Sequence, residues 1–275
     1  MSGKYDLVIE KGKGIKESWK ELWEYRELFF FLAWKNIIVR YKQTVLGVLW
    51  SLIRPFLTMI VFTVIFGSLA KLPSNGVPYP ILVFTGLLPW QFFANALSSS
   101  SGSIVASAGM ISKIYFPRII IPGTSIIVSF VDFLISFVTL VILMLVYRFI
   151  PPWQIILLPG FILLAVITAM GIGLWLTSLN VKYRDFQQLV PFIIQFGIYI
   201  SPVGFSSSIV PAQWRLLYSM NPVVGVIDGF RWAILGGEFT LYLPGFILSI
   251  GIALLFFVTG WAFFKKTERS FADYI

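Results

Sequence analysis

Arg54 stands directly before Pro55 in the stretch YKQTVLGVLWSLIRP, which carries the chain from a charged segment into an apolar one. A guanidinium at membrane depth costs roughly several kcal/mol unless it is paired or reaches water. Two roles fit this arginine. It can extend to the inner headgroups, or it can line a cytoplasmic entrance and hold a phosphate bidentately.

The residues around Arg54 predict a hinged entrance. Gly47 tolerates backbone geometry that residues with a Cβ adopt only at a cost, so it can end one short helix before the next begins. Pro55 has no N–H and is suited to the first turn of that next helix.

Covalent catalysis has little support in this chain. It has no His and no Cys, which removes the usual transition-metal ligands, thiol nucleophiles and histidine acid–base chemistry. The glycines at Gly12 and Gly14 do not have the spacing of a phosphate-binding loop. Asp132 is the only acidic residue deep in an apolar segment, which favours a polar contact between helices over proton-coupled transport.

Composition predicts an all-α integral membrane protein. Of 275 residues, 58% are hydrophobic and 12% charged, and the mean hydropathy is +0.87, unlike a soluble domain. A helix needs about 20 apolar residues to cross the hydrocarbon core. Six segments qualify as predicted spans: Leu49–Leu69, Ile81–Leu97, Ile119–Tyr147, Ile155–Leu179, Leu189–Phe205 and Leu243–Phe264.

The distribution of Lys and Arg predicts that both termini are cytoplasmic. Nine of these residues lie before the first span, two near Lys113 and Arg118, two at Lys182 and Arg184, and three after the last span. Four lie on the opposite side: Lys71, Arg148, Arg215 and Arg231. The net charge of +9 therefore indicates attraction to an anionic inner leaflet rather than to nucleic acid.

Two apolar segments are not predicted to span. In residues 15–41, large apolar side chains recur at steps of three, four or seven, which predicts an amphipathic helix on the inner leaflet. That helix is either a simple anchor or a platform that also binds a cytoplasmic partner. Val223 to Leu235 is short and contains Asp228 and Arg231, so it should dip into the membrane or lie at its surface.

Four ordered stretches resemble the type-2 ABC exporter permeases, and most of all those that export O-antigen polysaccharide, with teichoic acid and capsule export permeases as relatives. They are RYKQTVLGVLWSLIRP, SKIYFPRIIIP, LNVKYRDFQQLVPFIIQFGIYISPVGF and YSMNPVVGVIDGFRW. The resemblance covers nearly the whole chain. It implies a leader with amphipathic and gate helices over residues 1–44 and a six-span permease domain over residues 45–275.

The resemblance also implies how such a chain works. It would form a homodimer in the cytoplasmic (inner) membrane with two copies of a separate ABC ATPase, and it would export a lipid-linked polysaccharide. The chain itself would bind no cofactor and no metal, because ATP and Mg belong to the ATPase. It is therefore expected not to be an enzyme, in agreement with the missing phosphate-binding loop.

The resemblance carries over to particular residues. Tyr41 to Gly47 resembles a short gate helix that ends in a turn at Leu46 and Gly47. The loop with Lys113, Tyr115, Phe116, Pro117 and Arg118 resembles the coupling helix that contacts the ATPase. Residues 209–214 and 222–235 resemble re-entrant helices near the extracellular gate.

Aromatic residues on the fifth predicted span could line a sugar path. By spacing, Phe192, Phe196 and Tyr199 share one helix face. A ring offers flat apolar contact to a pyranose without holding its hydroxyl groups tightly, although ordinary core packing would give the same pattern.

Other classes fit less well. A membrane glycosyltransferase should carry a D-x-D motif, and the carboxylates on the outer side are few, chiefly Asp228 and Glu238. A secondary carrier should show more charge in its spans or a repeat of its halves. Within the favoured class, a type-2 exporter of teichoic acid, capsule, a drug or a small lipid is the alternative.

Overall fold

The computed structural model describes residues 15–42, 47–183, 185–237 and 239–271, and secondary structure in these ranges is helical. Two helices precede the first span, α1 (Ile15–Glu24) and α2 (Arg26–Lys42). The remaining helices are α3 (Gly47–Phe62), α4 (Tyr79–Ser101), α5 (Ser103–Ala106), α6 (Ala108–Ile111), α7 (Ile120–Val146), α8 (Leu158–Lys182), α9 (Phe186–Ile200), α10 (Ala212–Tyr218), α11 (Pro222–Leu235) and α12 (Leu243–Thr267).

Five helical segments among the described residues are long and apolar enough to cross a membrane. They are Leu49–Leu69, Tyr79–Ser101, Ile120–Val146, Trp153–Lys182 and Leu243–Ser270. Each contains or closely matches a span predicted from the sequence. The first consists of most of α3 and a π-helical turn, Thr63–Leu69, which continues it.

The fifth predicted span, Leu189–Phe205, is shorter than expected. Its helix, α9, has 15 residues and ends at Ile200, after which the chain turns. Fifteen helical residues measure about 22 Å, less than the roughly 30 Å of a hydrocarbon core. Five of the six predicted spans are therefore supported. The sixth, which corresponds to α9, stays a prediction because this helix is too short to cross the core by length alone.

The core of the bundle is built around α4, which packs against α3, α7, α8 and α11. Its apolar side chains Ile81, Leu82, Phe84 and Leu87 are fully buried, because neighbouring helices cover it on nearly all sides. The outer spans face the surroundings with long apolar side chains instead, as expected where lipid is the solvent.

The segments between α9 and α12 include two helices where re-entrant segments were expected, α10 and α11. Arg231 of α11 is 1% exposed. Its guanidinium donates hydrogen bonds to the carbonyls of Val203, at 2.8 Å, and Phe205. A buried charge needs such partners, and these bonds fix the chain that follows α9 against α11.

The predicted leader helix is present over residues 15–42 but is interrupted at Tyr25. One face of it carries strongly exposed aromatics, with Trp23 at 72% and Phe30 at 68%, as expected of a helix on a membrane surface. The opposite face buries Leu32 and Ala33, and α2 packs along α7. The leader therefore contacts the spans directly.

Candidate functional site

A polar cavity lies between α2, α3, α4 and α7. Its volume is about 300 Å³, and we call it the entrance cavity. The charged and polar residues that line it are Arg40, Ser51, Arg54, Gln91, Asn95, Asp132 and Ser136. A volume of this size suits a small ligand or the headgroup of a larger one.

Arg54 lines this cavity together with Pro55. Its guanidinium carbon lies 5.8 Å from the centre of the Trp50 ring, a cation–π arrangement that orients the side chain. Among the described residues no carboxylate forms an ion pair with Arg54. Its exposed guanidinium is therefore available to an anion. Arg54 therefore lines the cavity, and its role at an entrance stays a prediction.

The structure corrects the expected position of Pro55. Because α3 begins at Gly47, Pro55 lies in the helix interior and not in the first turn. A proline there leaves the carbonyl four residues earlier without its helical donor, and that carbonyl belongs to Ser51. The Ser136 hydroxyl of α7 donates to the Ser51 carbonyl oxygen at 3.2 Å. The carbonyl that cannot bond to Pro55 therefore connects α3 to α7.

Asp132 organises one wall of the cavity. The Arg40 guanidinium lies 2.6 Å from its carboxylate, the Tyr41 hydroxyl donates to it, and the Ser51 hydroxyl donates at 3.3 Å. Burial and the bond to Asp132 raise the pKa of the Tyr41 phenol above its ordinary value of 10, so the phenol stays protonated as a donor. We call Arg40, Tyr41, Ser51 and Asp132 the Asp132 cluster.

The Asp132 cluster confirms the predicted polar contact between helices and extends it. Arg40 and Tyr41 belong to α2, Ser51 to α3 and Asp132 to α7. One carboxylate thus connects the leader, the first span and a later span. Sequence reasoning assigned Tyr41 to a separate gate helix, and it did not select Arg40 as the ion-pair partner of Asp132.

The predicted gate residues are only partly described. Tyr41 lies in the last turn of α2, which runs continuously from Arg26. Leu46 lies outside the described residues. Gly47 is the first residue of α3, so a helix does begin at this glycine. The predicted Leu46–Gly47 turn stays a prediction.

The predicted coupling residues form an irregular connection and not a helix. Lys113 to Arg118 has no helical assignment, and the short helices α5 and α6 precede it. Pro117 contributes to this, because it disfavours helical geometry at Phe116. Lys113 and Tyr115 are exposed, whereas Phe116 and Pro117 are buried. The exposed residues are the ones a partner could contact.

Arg118 fixes this connection to the C-terminal end of α12. Its backbone N–H donates to the Glu268 carboxylate at 2.8 Å, and its guanidinium donates to the Glu268 carbonyl. Lys265 forms an ion pair with the same carboxylate at 3.1 Å. Tyr115 also lies 3.4 Å from Glu21 of α1. The leader, this connection and the end of α12 therefore meet at one end of the bundle.

The predicted channel aromatics share an exposed face of α9, as their spacing predicted. Phe192 is 55%, Phe196 49% and Tyr199 63% exposed. The first two rings lie 4.3 Å apart, and Tyr199 lies 6.3 Å from Phe62 of α3. They are not core residues of the described chain. Whether they line a path stays a prediction.

Sequence reasoning missed Gln91 and Asn95, which line the entrance cavity from α4. The signal was present in the sequence, since two carboxamides four residues apart inside an apolar segment lie on one helix face. Polar residues inside spans usually mark contacts or transport paths.

Comparison with known proteins agrees with this architecture. The chain is 29% identical over 257 residues to an O-antigen export system permease protein of Klebsiella pneumoniae, covering 90% of this chain and 94% of that one. It is 25% identical to a Myxococcus xanthus protein of the same name, covering 77% and 82%. The Escherichia coli polysialic acid transport protein KpsM is 25% identical, covering 80% and 82%.

A family model also matches most of the chain. It covers residues 27–235, from the leader helix α2 to the end of α11, and describes the ABC-2 type transporter. The matched region includes every residue that lines the entrance cavity. The chain therefore belongs to the ABC-2 type transporter family.

Proposed function

We propose that this chain is the transmembrane permease subunit of an ABC exporter that carries a lipid-linked, O-antigen-like polysaccharide outward across the inner membrane. The observation that carries the proposal is the entrance cavity, where Arg54, which has no ion-pair partner among the described residues, lies beside amide and hydroxyl groups. Such a lining suits a phosphorylated, hydroxyl-rich headgroup. The names of the relatives in Klebsiella and Myxococcus support the same cargo.

Two copies of the permease and two of an ABC ATPase would form the working assembly. ATP and Mg would be bound by the ATPase, and the exposed residues Lys113 and Tyr115 would contact it. Because this connection is bonded to Glu268 and touches Glu21, a movement there would reach the leader helix. The leader in turn contacts the entrance cavity through the Asp132 cluster.

The cargo is tested by depleting the permease in its own cell. Lipid-linked polysaccharide should accumulate inside the inner membrane, and surface polysaccharide should fall at least tenfold, because the proposed route outward is lost. Extraction of the lipid-linked polymer and surface labelling measure both quantities. Normal surface polysaccharide together with loss of resistance to a drug would favour the alternative, a drug or small-lipid exporter.

We also propose that both termini face the cytoplasm. This follows from the Lys and Arg distribution and agrees with the contacts among the leader, the Lys113 to Arg118 connection and the end of α12. The chain has no native Cys, so single cysteines label cleanly. In intact cells, a membrane-impermeant thiol reagent should leave Ser270→Cys unmodified and should label it after the cells are opened.

The matched control for this labelling is Gln213→Cys, at an exposed position of α10. α10 lies beyond α9 on the side predicted to be extracellular, so this cysteine should react in intact cells. Labelling of Ser270→Cys in intact cells would contradict the proposed orientation.

A further inference from the structure

Gln91 and Asn95 are polar residues of the otherwise buried helix α4 that face the entrance cavity. α4 is the most buried of the spans, with 83% of the residues in its most apolar stretch buried. Yet Asn95 is exposed and Gln91 is half-buried, and both line the cavity. Because they are four residues apart, their carboxamides lie on one face, one helical turn apart.

Neither carboxamide forms a hydrogen bond or ion pair with the residues that the structure describes. Some buried hydroxyl groups of the same bundle bond to backbone carbonyls: Thr85 donates to Leu82 and Thr177 donates to Ser100. A polar group at membrane depth is costly without a partner. Because both amides line the cavity and have no partner among the described residues, we infer that the contents of the cavity supply their partners.

The lining of the cavity indicates what those contents are. Its charged residues are Arg40, Arg54 and Asp132, which leave one net positive charge and favour an anion. Asp132 is already bound by its cluster, so Arg54 is the group that faces an incoming anion. A carboxamide both donates and accepts, as a sugar hydroxyl requires of its partner. The Trp50 ring offers an apolar face beside Arg54.

We propose that Gln91 and Asn95 bind hydroxyl groups of the sugar closest to the lipid phosphate, while Arg54 binds the phosphate itself. This proposal rests on the proposed function, because it assumes a lipid-linked saccharide. The two amides would then set the preference of the transporter for that first sugar. A site that hydrogen-bonds a substrate hydroxyl discriminates strongly against an analogue without it.

The test uses the purified permease–ATPase complex in lipid nanodiscs. The probes are farnesyl diphosphate and the same lipid diphosphate carrying one N-acetylglucosamine or one galactose, and calorimetry gives their dissociation constants. The wild-type complex should bind at least one sugar-bearing probe about tenfold more tightly than the sugar-free probe, since two neutral hydrogen bonds have this effect. The double variant Gln91→Leu with Asn95→Leu should lose that preference and should bind the sugar-free probe as the wild type does.

Two further variants make the result decisive. Gln187→Leu makes the same change at an exposed position of α9 outside the cavity and should keep the full preference. Asn95→Leu alone replaces an exposed side chain and should weaken binding of the sugar-bearing probe about threefold, even if the double variant folds poorly. An undiminished preference in Asn95→Leu, a preference that survives in the double variant, or no preference in the wild type would overturn the proposal. If the wild type binds no lipid diphosphate at all, the proposed function fails as well.

Discussion

Arg54→Gln is expected to reduce polysaccharide export at least tenfold, and Arg54→Lys is expected to retain part of it. A lipid-linked polysaccharide would bring its phosphates to the headgroup level, the depth that we expect for Arg54 near the start of the first span. Arg54 lines the entrance cavity and has no ion-pair partner among the described residues. Guanidinium can hold a phosphate bidentately, lysine offers a point charge, and glutamine offers neither. Charge-assisted hydrogen bonds contribute about 1.5–3 kcal/mol each, which gives the expected tenfold or larger effect.

Export and substrate-stimulated ATPase activity, measured at matched expression, should fall in the same order. Arg26→Gln is the matched control, because Arg26 lies over Trp23 at 5.5 Å much as Arg54 lies over Trp50, but it does not line the cavity. That variant should export normally. If Arg54→Gln exports as well as the wild type, Arg54 extends to the headgroups and has no binding role.

The spans could be predicted from the sequence because their signal is local. A run of about 20 apolar residues is enough to predict a membrane-spanning helix. The first predicted span, Leu49–Leu69, has the same bounds in the structure. The end of α9 was harder to predict. The local signal was Pro202, which disfavours helical geometry at Ser201, and it was overlooked because residues 201–205 were judged by hydropathy. The bonds from the buried Arg231 to the carbonyls of Val203 and Phe205 are tertiary contacts that hydropathy does not reveal.

The site could be predicted only where one residue was unusual by itself. Arg54 and Asp132 stand out because charges are rare in spans, and both line the cavity. The partner of Asp132 did not stand out, because Arg40 is one of many basic residues in the leader. Pro55 was assigned to a first turn from its residue type, although the predicted span already began at Leu49, and in the structure it lies inside α3. The missed Arg40 partner is different, because it depends on which helices meet, and one-dimensional patterns do not specify that.

The Asp132 cluster gives the leader a mechanical connection to the cavity. Arg40 and Tyr41 lie in the last turn of α2, and their bonds to Asp132 hold that end of the helix against α7. Ser51 of α3 bonds to both Asp132 and Ser136, which lie one turn apart on the same helix, α7. A force on the leader would therefore act on the wall of the cavity that carries Arg54.

Breaking the ion pair of Arg40 and Asp132 should have unequal effects on stability. The Asp132 side chain is 6% exposed and the Arg40 side chain 39%, so Arg40→Leu leaves an uncompensated buried charge, whereas Asp132→Asn leaves an arginine that reaches water. Removing one member of a buried pair costs about 3 kcal/mol or more, which corresponds to roughly 6–12 °C in the thermal midpoint. We expect a loss of that size for Arg40→Leu and a clearly smaller one for Asp132→Asn.

The double variant Arg40→Leu with Asp132→Asn separates stability from positioning. It should recover most of the thermal midpoint, since no buried charge is left unpaired, but export should stay low because α2 is no longer held against α7 by the pair. Lys265→Leu is the control, because the carboxylate that it leaves, that of Glu268, is 16% exposed against 6% for Asp132 and keeps its hydrogen bond from the Arg118 backbone N–H. This variant should lose clearly less stability than Arg40→Leu. Thermal unfolding of the detergent-solubilised protein and export in cells measure the two effects. If the double variant regains both its thermal midpoint and its export, the pair serves only to neutralise charge and does not position the leader.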